Sequence, residues 1–409
     1  MARCSTCGKH GLFLKVNSEG LCKKCQEAKE IAKRQYEEQQ KSATQNFYNL
    51  LSELYYISKE KVSIKSDPIE NLKLVATIES RIQSCHRLLD ELDKMLNLPY
   101  LDTVIEAHLK YESPRDEQIH YAKLHPFGFS MWTHRRDSEN TYSQELHSKL
   151  SNDINSYITR WQYQISRIQK NAEFETLCRN LPQYPIIQSQ ESVSLLLTSE
   201  LDDLVKYSRI TAKTSIDRIG NFVVLDTETT GLSSANNEIT EVSAIRFEDW
   251  TPVMVFHSLV KPQKAIPDEI IQKTGITNEM VSSAPTFSSI VPSLNEFIGK
   301  SNIVGHNLPF DLKFLYRNGF NFASQKRKYF DTLDIAKTTL KKPKMKWDRE
   351  LESYEINFNY DYDVEDYKLS TLCEFFEIRD NSSAHRSTSD ALATGILFHN
   401  LAQAKIGES

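Results

Sequence analysis

The sequence predicts an α/β fold for the C-terminal half of this 409-residue chain, preceded by a small cysteine-rich module and a long α-helical region. Three observations lead to this prediction. Two CxxC pairs open the chain, apolar residues at helical spacing follow them, and short β-rich runs alternate with helical segments after residue 220. Because about 100 to 200 residues form an ordinary domain, two or three folded units are expected.

The composition is that of a folded protein without a general affinity for polyanions. Hydrophobic residues make up 39% and charged residues 26%, which is enough apolar material for a core. The net charge of −5 means that nucleic-acid binding would depend on local patches or on metal ions. No stretch approaches the roughly 18 apolar residues of a membrane span, and the start lacks the apolar core of a signal peptide. We therefore expect a cytoplasmic location and no membrane partner.

Residues 1–27 are predicted to form a zinc module. Two CxxC pairs lie fourteen residues apart, and they consist of Cys4, Cys7, Cys22 and Cys25. Four thiolates at this spacing suit one structural Zn²⁺, and so small a segment has little core without metal. The alternative is two unrelated cysteine pairs. The module resembles zinc-ribbon and treble-clef knuckles, which implies contacts with nucleic acid or protein without specifying either.

Residues 28–215 are predicted to form a helical region, a coiled-coil-like hairpin with an irregular insert. A charged segment without proline or glycine, 26–61, predicts an exposed helix. Two apolar stripes with steps of three and four then predict an antiparallel helical pair, where a protein partner or a second copy would bind. The first stripe is Val75, Ile78, Ile82, Cys85, Leu89, Leu92 and Leu96. The second is Leu150, Ile154, Tyr157, Trp161, Ile165, Ile168 and Ala172.

Three histidines lie among aromatic residues between these stripes. The presence of His120, His125 and His134 raises the possibility of a metal or base-stacking site. Their spacing matches no compact ligand motif, however, and aromatic residues around a turn more often form a local core. The segments 181–187 and 198–215, rich in turn-forming residues, mark the predicted passage into the last domain, residues 216–409.

A pair of acids follows the first predicted strand of the last domain. The run 221–226 is β-rich and leads into Asp226-Thr-Glu228. Residues two apart on a strand point to the same face, so both carboxylates can bind one divalent cation. Two hard carboxylates favour Mg²⁺ or Mn²⁺ over Zn²⁺.

Further strands and helices complete the predicted α/β domain. The segments 238–248 and 252–261 are predicted to extend a meander from the first strand and so to form a mixed sheet. Residues 302–305 form a short strand that leads into a helix with Pro309 in its first turn. Asp311 therefore lies in an early turn of that helix.

The last motif completes a resemblance to a known family. His385 is predicted to lie on a loop, and Asp390 in an early turn of the following helix. The residues resemble the three exonuclease motifs of the DEDDh class, which includes the bacterial polymerase III proofreading epsilon subunit. These motifs are Asp226-Thr-Glu228-Thr-Thr-Gly-Leu232, His306-Asn307-x-x-Phe310-Asp311 and His385-Arg-x-x-x-Asp390. The resemblance covers about 221–404 and implies an RNase H-like fold, a mixed five-stranded sheet with flanking helices.

The resemblance also implies a role for each motif residue. Four acids are expected to hold two Mg²⁺ or Mn²⁺ ions, namely Asp226, Glu228, Asp311 and Asp390. Asp226 would touch both ions, and His385 would be the general base. The residues expected to border the terminal nucleotide are Thr229, Gly231, Leu232, His306, Asn307 and Phe310. Among these, Leu232 would be an apolar wedge against the base.

These expectations describe a metal-dependent 3′→5′ exonuclease. It would act on the 3′ end of single-stranded DNA, release nucleoside 5′-monophosphates and serve in DNA repair or proofreading, with any polymerase supplied by a partner chain. One alternative is an exoribonuclease, because nothing in the motifs reads the 2′-hydroxyl of RNA. Another is a non-catalytic scaffold that binds nucleic acid or protein. The intact set of acids argues against the scaffold.

The chain departs from the family pattern by an apparent insertion between Asp334 and Leu369. It contains a run of lysines, then Trp347, then an acidic and tyrosine-rich stretch that ends at Tyr367. The lysines are Lys337, Lys341, Lys342, Lys344 and Lys346. Lysines beside a tryptophan are suited to gripping a nucleic-acid backbone and stacking a base. The alternative is a solvated loop.

Overall fold

The structure is a computed structural model that describes most of the chain. The described residues are 2–12, 14–59, 68–96, 142–189, 201–320, 322, 326–348, 353–357, 360–379 and 386–407. Contacts divide the chain into two compact units, one comprising residues 1–64 and 69–165 and the other residues 65–68 and 166–409. Within the described ranges, no helix is long and apolar enough to cross a membrane.

The first unit begins with a short hairpin and continues into long helices. Strands β1 (Ala2–Arg3) and β2 (His10–Gly11) pair in antiparallel fashion. The helices are α1 (Lys23–Lys59), α2 (Pro68–Leu96) and α3 (Tyr142–Asn180), the last of which continues into the second unit. The predicted helices are thus present. The predicted histidine cluster at His120, His125 and His134 lies outside the described residues.

Helix α1 differs from its prediction as an exposed helix. Its side chains are largely exposed before residue 43, but Leu50, Leu54 and Ile57 are buried. These apolar residues recur at steps of four and three, so they form a stripe along one side of the helix. The prediction was wrong for the second half of α1, because the charged composition of the whole segment concealed this local stripe.

The stripes predicted on α2 and α3 are present with small shifts. On α2 the buried side chains are Ile78, Cys85, Leu88, Leu92 and Met95, and on α3 of this unit they are Leu150, Ile154, Ile158 and Trp161. Leu88 and Ile158 thus occupy buried positions that were predicted for Leu89 and Tyr157. An Arg87–Glu53 ion pair joins α2 to α1, and a His147–Asp93 contact joins α3 to α2. The helices of this unit therefore cover one another's apolar stripes.

The second unit contains a mixed five-stranded sheet. Its strands are β3 (Phe222–Thr229), β4 (Ile239–Glu248), β5 (Thr251–Leu259), β6 (Asn302–Gly305) and β7 (Tyr329–Asp331). Their order is β5-β4-β3-β6-β7. The neighbours β3, β4 and β5 pair in antiparallel fashion, whereas β6 and β7 run parallel to β3. The predicted mixed five-stranded sheet with flanking helices is confirmed.

Helices cover both faces of this sheet. They are α4 (Leu201–Leu204), α5 (Asp268–Thr274), α6 (Asn278–Val281), α7 (Phe287–Ile298), α8 (Leu308–Arg317), α9 (Thr332–Thr339), α10 (Leu369–Phe375) and α11 (Ser387–Gly407). One core contains Phe222 and Val224 of β3 with residues of α9, α10 and α11. The other contains Val223 and Leu225 with residues of α7 and α8. Successive residues of β3 therefore face opposite helical layers.

Residues before the sheet complete its cores and protect an edge. Phe174 at the end of α3 and Leu181 are buried in the same core as α11. The Val255 N–H of edge strand β5 donates to the Pro182 carbonyl at 2.9 Å, and the Tyr184 N–H donates back to the Val255 carbonyl at 2.7 Å. Covering an edge strand in this way removes a template for unwanted pairing.

A second hairpin lies between α9 and α10. It consists of β8 (Met345–Asp348) and β9 (Ser353–Ile356), which pair in antiparallel fashion. This hairpin occupies the segment predicted as an insertion, so that segment contains secondary structure of its own.

Candidate active site

Side chains at the end of β3 point alternately to the two faces of the sheet. Asp226 and Glu228 share the face that packs on α11, where Asp390 lies. Thr227 points to the opposite face, toward α8. Its backbone N–H and its hydroxyl both donate to Asp311 Oδ1, at 2.9 Å and 2.7 Å. One strand end thus contacts predicted acids from two different helices.

Three of the four predicted metal ligands form a tight group. Carboxylate oxygens of Asp226, Glu228 and Asp390 all lie within 4.8 Å of one another. The fourth acid, Asp311, lies outside this group because Thr227 holds one of its oxygens. A β-bulge between Glu228 and Thr229 interrupts the pairing with β4. Such a bulge re-aims side chains at a strand end, here next to the acidic group.

Burial and mutual repulsion make this group of acids electrostatically unfavourable without a cation. Burial, followed by the charges of Asp311, Asp390, Glu228 and Glu241, holds the pKa of Asp226 well above its ordinary value. Burial also raises the pKa of Asp311 to about 7, although the donors of Thr227 oppose the shift. A divalent cation would relieve this repulsion. Three converging carboxylate oxygens suit Mg²⁺ or Mn²⁺.

An arginine that the motifs did not reveal lies against one of these acids. Arg379 forms an ion pair with Asp390 and also donates to the Ser389 hydroxyl. Both charged side chains of the pair are nearly buried, with 8% and 10% of their surfaces exposed. Arg379 therefore orients the Asp390 carboxylate through this ion pair. It follows α10 in sequence, and no spacing rule connects it to Asp390.

A fifth acid, Glu241, lies beside the group in a different environment. It is opposite Glu228 in the β3–β4 register and is fully buried. His257 Nε2 lies 2.9 Å from its Oε1, and Arg386 Nη2 donates to the same oxygen at 2.6 Å. Burial alone would raise the pKa of Glu241, but the bonds from His257, Arg386 and the Ser387 N–H lower it to about 2. Glu241 thus remains ionised and is neutralised by the protein itself.

Glu241 also anchors the beginning of α11. Its Oε2 accepts the Ser387 N–H at 2.9 Å, one of the N–H groups that the first turn of a helix leaves without a helical partner. The Ser243 hydroxyl, two residues farther along β4, lies 2.7 Å from the hydroxyls of both Ser387 and Thr388. These bonds hold the start of the helix that carries Asp390. An isolated acid in the apolar strand β4 is the signal that could have revealed this role.

The second motif is held by the junction between β7 and α9. Asn307 has a left-handed backbone with φ of 58°, which asparagine tolerates, and its N–H donates to Asp331 Oδ1 at 2.9 Å. His306 Nδ1 lies 2.9 Å from the Thr332 hydroxyl. Burial, opposed by a hydrogen bond to the Tyr367 backbone, lowers the pKa of His306 to about 4. The His306 ring is therefore neutral at pH 7.

The turn after β3 contains a closely packed glycine and an exposed leucine. The Thr229 hydroxyl donates to the Gly231 carbonyl at 2.7 Å. A Cβ atom on Gly231 would lie 2.6 Å from the Asn237 amide nitrogen, so a larger residue would displace the Asn237 side chain. Leu232 exposes 83% of its surface, which is consistent with its predicted role as a wedge.

Two further predicted site residues have different outcomes. Phe310 is half-buried and packs on Phe314, with ring centroids 4.9 Å apart. His385, the predicted general base, lies outside the described residues. Its sequence neighbour Arg386 is anchored to Glu241.

The cysteine module brings its predicted ligands together. The sulfur atoms of Cys4, Cys7, Cys22 and Cys25 all lie within 4.8 Å of one another. Gly8 and Gly20 have φ of 70° and 74°, a conformation that glycine adopts readily. Hydrogen bonds from backbone groups, chiefly that of Cys7, lower the pKa of Cys4 to about 6. The arrangement fits one tetrahedral Zn²⁺.

We expect Asp226→Asn to stabilise the metal-free protein. Because the pKa of Asp226 is raised by folding, its ionisation opposes folding as the pH rises above about 4. In EDTA at pH 7.5 the variant should therefore melt at least about 3 °C higher than the original chain, since 1 kcal/mol corresponds to about 2–4 °C in a domain of this size. Differential scanning fluorimetry measures the shift.

The same variant should lose stabilisation by Mn²⁺, since it lacks a central carboxylate of the group. Asp217→Asn, a change at an exposed acid before the sheet, serves as the control and should leave both melting responses unaltered. An unchanged rise in melting temperature with Mn²⁺ in Asp226→Asn would show that the acids do not form the cation site.

We expect Glu241→Gln to destabilise the protein by about 3 kcal/mol at pH 7, the value that corresponds to lowering a pKa from 4.5 to about 2. Since the folded pKa is depressed, this stabilisation is present above about pH 4.5 and is lost as the pH falls toward 2. Urea unfolding at pH 7 and pH 3.5 should show the difference shrinking at the lower pH. Glu248→Gln, at the exposed end of β4, is the matched control, and equal stability of both variants at pH 7 would contradict the anchoring role.

A comparison with protein families identifies the domain that carries these acids. The family model described as exonuclease matches residues 223–398, which contain all three predicted motifs. A PolC-type DNA polymerase III of Caldanaerobacter subterraneus is 33% identical over 189 residues, which cover 46% of this chain and 12% of that protein. A putative bifunctional exonuclease/endonuclease of Mycobacterium tuberculosis is 33% identical over 186 residues, which cover 44% of this chain and 26% of that protein. The matches thus span a minor part of these relatives.

Solved structures of exonucleases show a weaker likeness. Exonuclease X in complex with 5′ overhanging duplex DNA is 21% identical with a TM-score of 0.30, and the match covers 44% of this chain and 90% of that one. Escherichia coli exonuclease I in complex with a dA16 oligonucleotide is 18% identical with a TM-score of 0.37, and the match covers 46% of this chain and 42% of that one. The exonuclease family model thus matches less than half of the chain, and the matched region contains the residues that resemble the motifs of the DEDDh class.

Proposed function

We propose that this chain is a metal-dependent 3′→5′ exonuclease that hydrolyses phosphodiester bonds at the 3′ end of single-stranded DNA. The products are nucleoside 5′-monophosphates. The observation that carries the proposal is the group formed by Asp226, Glu228 and Asp390, whose carboxylate oxygens lie within 4.8 Å of one another at the end of β3. The raised pKa of Asp226 supports it, because such a group favours binding of a cation.

The proposed chemistry divides between two cations and the residues around them. Two Mg²⁺ or Mn²⁺ ions, when bound, lower the pKa of an attacking water and stabilise charge on the leaving 3′ oxygen. Asp226, Glu228 and Asp390 bind the ions, and Asp311 joins them from α8. His385, five residues before Asp390, accepts the proton of the attacking water.

Other residues of the site position these groups and the terminal nucleotide. Thr227 orients Asp311, and Arg379 orients Asp390. In the proposed complex, exposed Leu232 packs against the terminal base. The neutral His306 ring and the Asn307 turn border the same nucleotide, together with Thr229, Gly231 and Phe310.

DNA is the proposed substrate because the relatives that share this region include DNA polymerases. The setting that we propose is DNA repair or proofreading. RNA remains the alternative substrate, since no residue of the motifs distinguishes RNA from DNA by its 2′-hydroxyl. A side-by-side comparison of DNA and RNA oligonucleotides of one sequence decides between them.

The purified full chain is expected to degrade single-stranded DNA from the 3′ end with Mg²⁺ or Mn²⁺. A 5′-labelled strand should shorten stepwise, whereas a 3′-labelled strand should release its label at once as a mononucleotide. Gel electrophoresis and thin-layer chromatography follow the two labels. His385→Ala should lower kcat by about 10²–10⁴-fold, the usual contribution of a general base.

Controls separate this activity from contaminating nucleases. EDTA and Asp226→Ala should each abolish degradation, while Asp217→Asn, at an exposed acid, should leave the rate unchanged. Degradation that survives in Asp226→Ala, or an absence of activity on both DNA and RNA, would overturn the proposal and favour a binding scaffold.

We propose in addition that the cysteine module holds one structural Zn²⁺. The four sulfur atoms within 4.8 Å of one another support this, and so does the small size of the module, which offers little apolar core apart from the buried Leu21. Four thiolates leave no open position on the ion, so its role is structural. The module is a proposed contact surface for nucleic acid or protein, and the helices after it are a proposed site of protein binding or self-association.

The purified chain should contain one Zn²⁺, and Cys22→Ser should contain less than half of that amount. Zinc is measured by atomic absorption after dialysis against Mg²⁺ buffer. Cys178→Ser, a change at a half-buried cysteine of α3, is the matched control and should retain the metal. Equal zinc contents of the two variants would refute the proposed site.

A further inference from the structure

The hairpin between α9 and α10 projects aromatic and basic side chains that the proposed chemistry does not use. We call its described residues, 341–348, 353–357 and 360–364, the arm. In the β8–β9 register Met345 lies opposite Ile356 and Trp347 lies opposite Tyr354. Directly opposed residues share a face of a two-stranded sheet, and alternate pairs lie on the same side. These four residues therefore form one face of the arm.

This face is apolar and open. Trp347 exposes 52% of its surface, Tyr354 exposes 66% and Met345 exposes 53%. The rings of Trp347 and Tyr354 meet edge to face, with centroids 5.0 Å apart and an interplanar angle of 72°. Large exposed aromatic side chains that support one another on a hairpin are typical of a binding surface rather than of a solvated loop.

The arm is attached to the sheet domain at both of its ends. The Lys341 N–H donates to Asp363 Oδ2 at 2.7 Å, and the Asp363 N–H donates back to the Lys341 carbonyl at 2.8 Å. Val364 is buried in the same core as α11. The Tyr367 hydroxyl donates to the Leu340 carbonyl at 2.9 Å. These contacts fix the base of the arm to the sheet domain.

The base of the arm also adjoins the candidate active site. The backbone of Tyr367, three residues after the arm, forms a hydrogen bond with the ring of His306. His306 belongs to the motif expected to border the terminal nucleotide. The base of the arm therefore lies next to a residue that is expected to border the terminal nucleotide.

The described arm carries four lysines and four acids, so its lysines rather than its net charge favour nucleic acid over protein as the occupant of this face. Lys341, Lys342, Lys344 and Lys346 are exposed, and the Lys344 ammonium lies 4.0 Å from the centre of the Tyr360 ring. Lysine is depleted at protein–protein interfaces, whereas lysines interleaved with aromatic rings are typical of single-strand binding. Bases stack on the rings, and the ammonium groups neutralise phosphates.

We propose that the arm binds the single-stranded DNA upstream of its 3′-terminal nucleotide, with bases stacked on Trp347 and Tyr354 and phosphates bound by the arm's lysines. This inference rests on the proposed exonuclease function, which places the 3′ end beside His306. It assigns the insertion a role in substrate affinity, separate from the cleavage chemistry.

The test measures binding without cleavage. A fluorescein-labelled oligothymidylate of about 20 nucleotides is titrated with the full chain in EDTA, and its anisotropy gives Kd. Trp347→Ala should raise Kd about tenfold, because removing a base–aromatic stack weakens single-strand binding by an amount of this order. Tyr354→Ala should act in the same direction and guards against a folding defect confined to one variant. Tyr56→Ala, at an aromatic residue of α1 that exposes 69% of its surface, is the matched control.

The length of the strand tests the upstream position. With an oligothymidylate of about four nucleotides, Trp347→Ala should raise Kd much less than it does with the longer strand. Unchanged Kd in both arm variants, or an equal loss at both lengths, would overturn the proposal, and the former result would leave the face to a protein partner.

A wild-type chain that binds through the arm yet cleaves nothing with Mg²⁺ would refute the exonuclease function and leave the arm as a binding site. If the wild-type chain cleaves DNA and the arm variants bind it normally, the exonuclease function stands and the arm proposal is refuted.

Discussion

Repulsion among buried carboxylates at the end of β3 is the constraint to which the rest of the site responds. Four acids raise the pKa of Asp226, in addition to burial, and they are Asp311, Asp390, Glu228 and Glu241. Three of these four acids have a partner that stabilises them. Thr227 donates to Asp311, Arg379 pairs with Asp390, and Arg386 pairs with Glu241. Since these contacts still leave the pKa of Asp226 high, the site is short of positive charge at that carboxylate, and a divalent cation would supply it.

Glu241 and Asp226 show how environment separates two buried acids on neighbouring strands. Glu241 contacts His257, Arg386 and a helix N–H, and its pKa falls to about 2. Burial raises the pKa of Asp226, and the neighbouring charges of Asp311, Asp390, Glu228 and Glu241, all of its own sign, raise it further. Two buried carboxyl groups thus serve two purposes. Glu241 forms hydrogen bonds that fix the start of α11, while Asp226 is left to bind a proposed cation.

The sequence predicted the three acids that converge at the end of β3, but little of what supports them. The spacing of Asp226 and Glu228 is local, and the alternation of a strand is enough to place both on one face. The five-stranded sheet was expected from the resemblance, but its strand order was not predicted, because parallel pairing depends on where crossover helices return. Glu241 and Arg379 were missed since their partners, at positions 386 and 390, meet them only after the sheet and α11 have packed. The buried half of α1 was missed because charged neighbours outnumber its apolar stripe.

His306 connects the candidate active site to the base of the arm. Its ring contacts Thr332 at the start of α9 and the backbone of Tyr367 just beyond the arm. The insertion therefore begins and ends beside a residue that borders the proposed substrate. A segment inserted there can add contacts to the departing strand without altering the acids of β3, because the bonds between Lys341 and Asp363 close its base. Affinity for a long strand and cleavage of its last bond can consequently change independently in this fold.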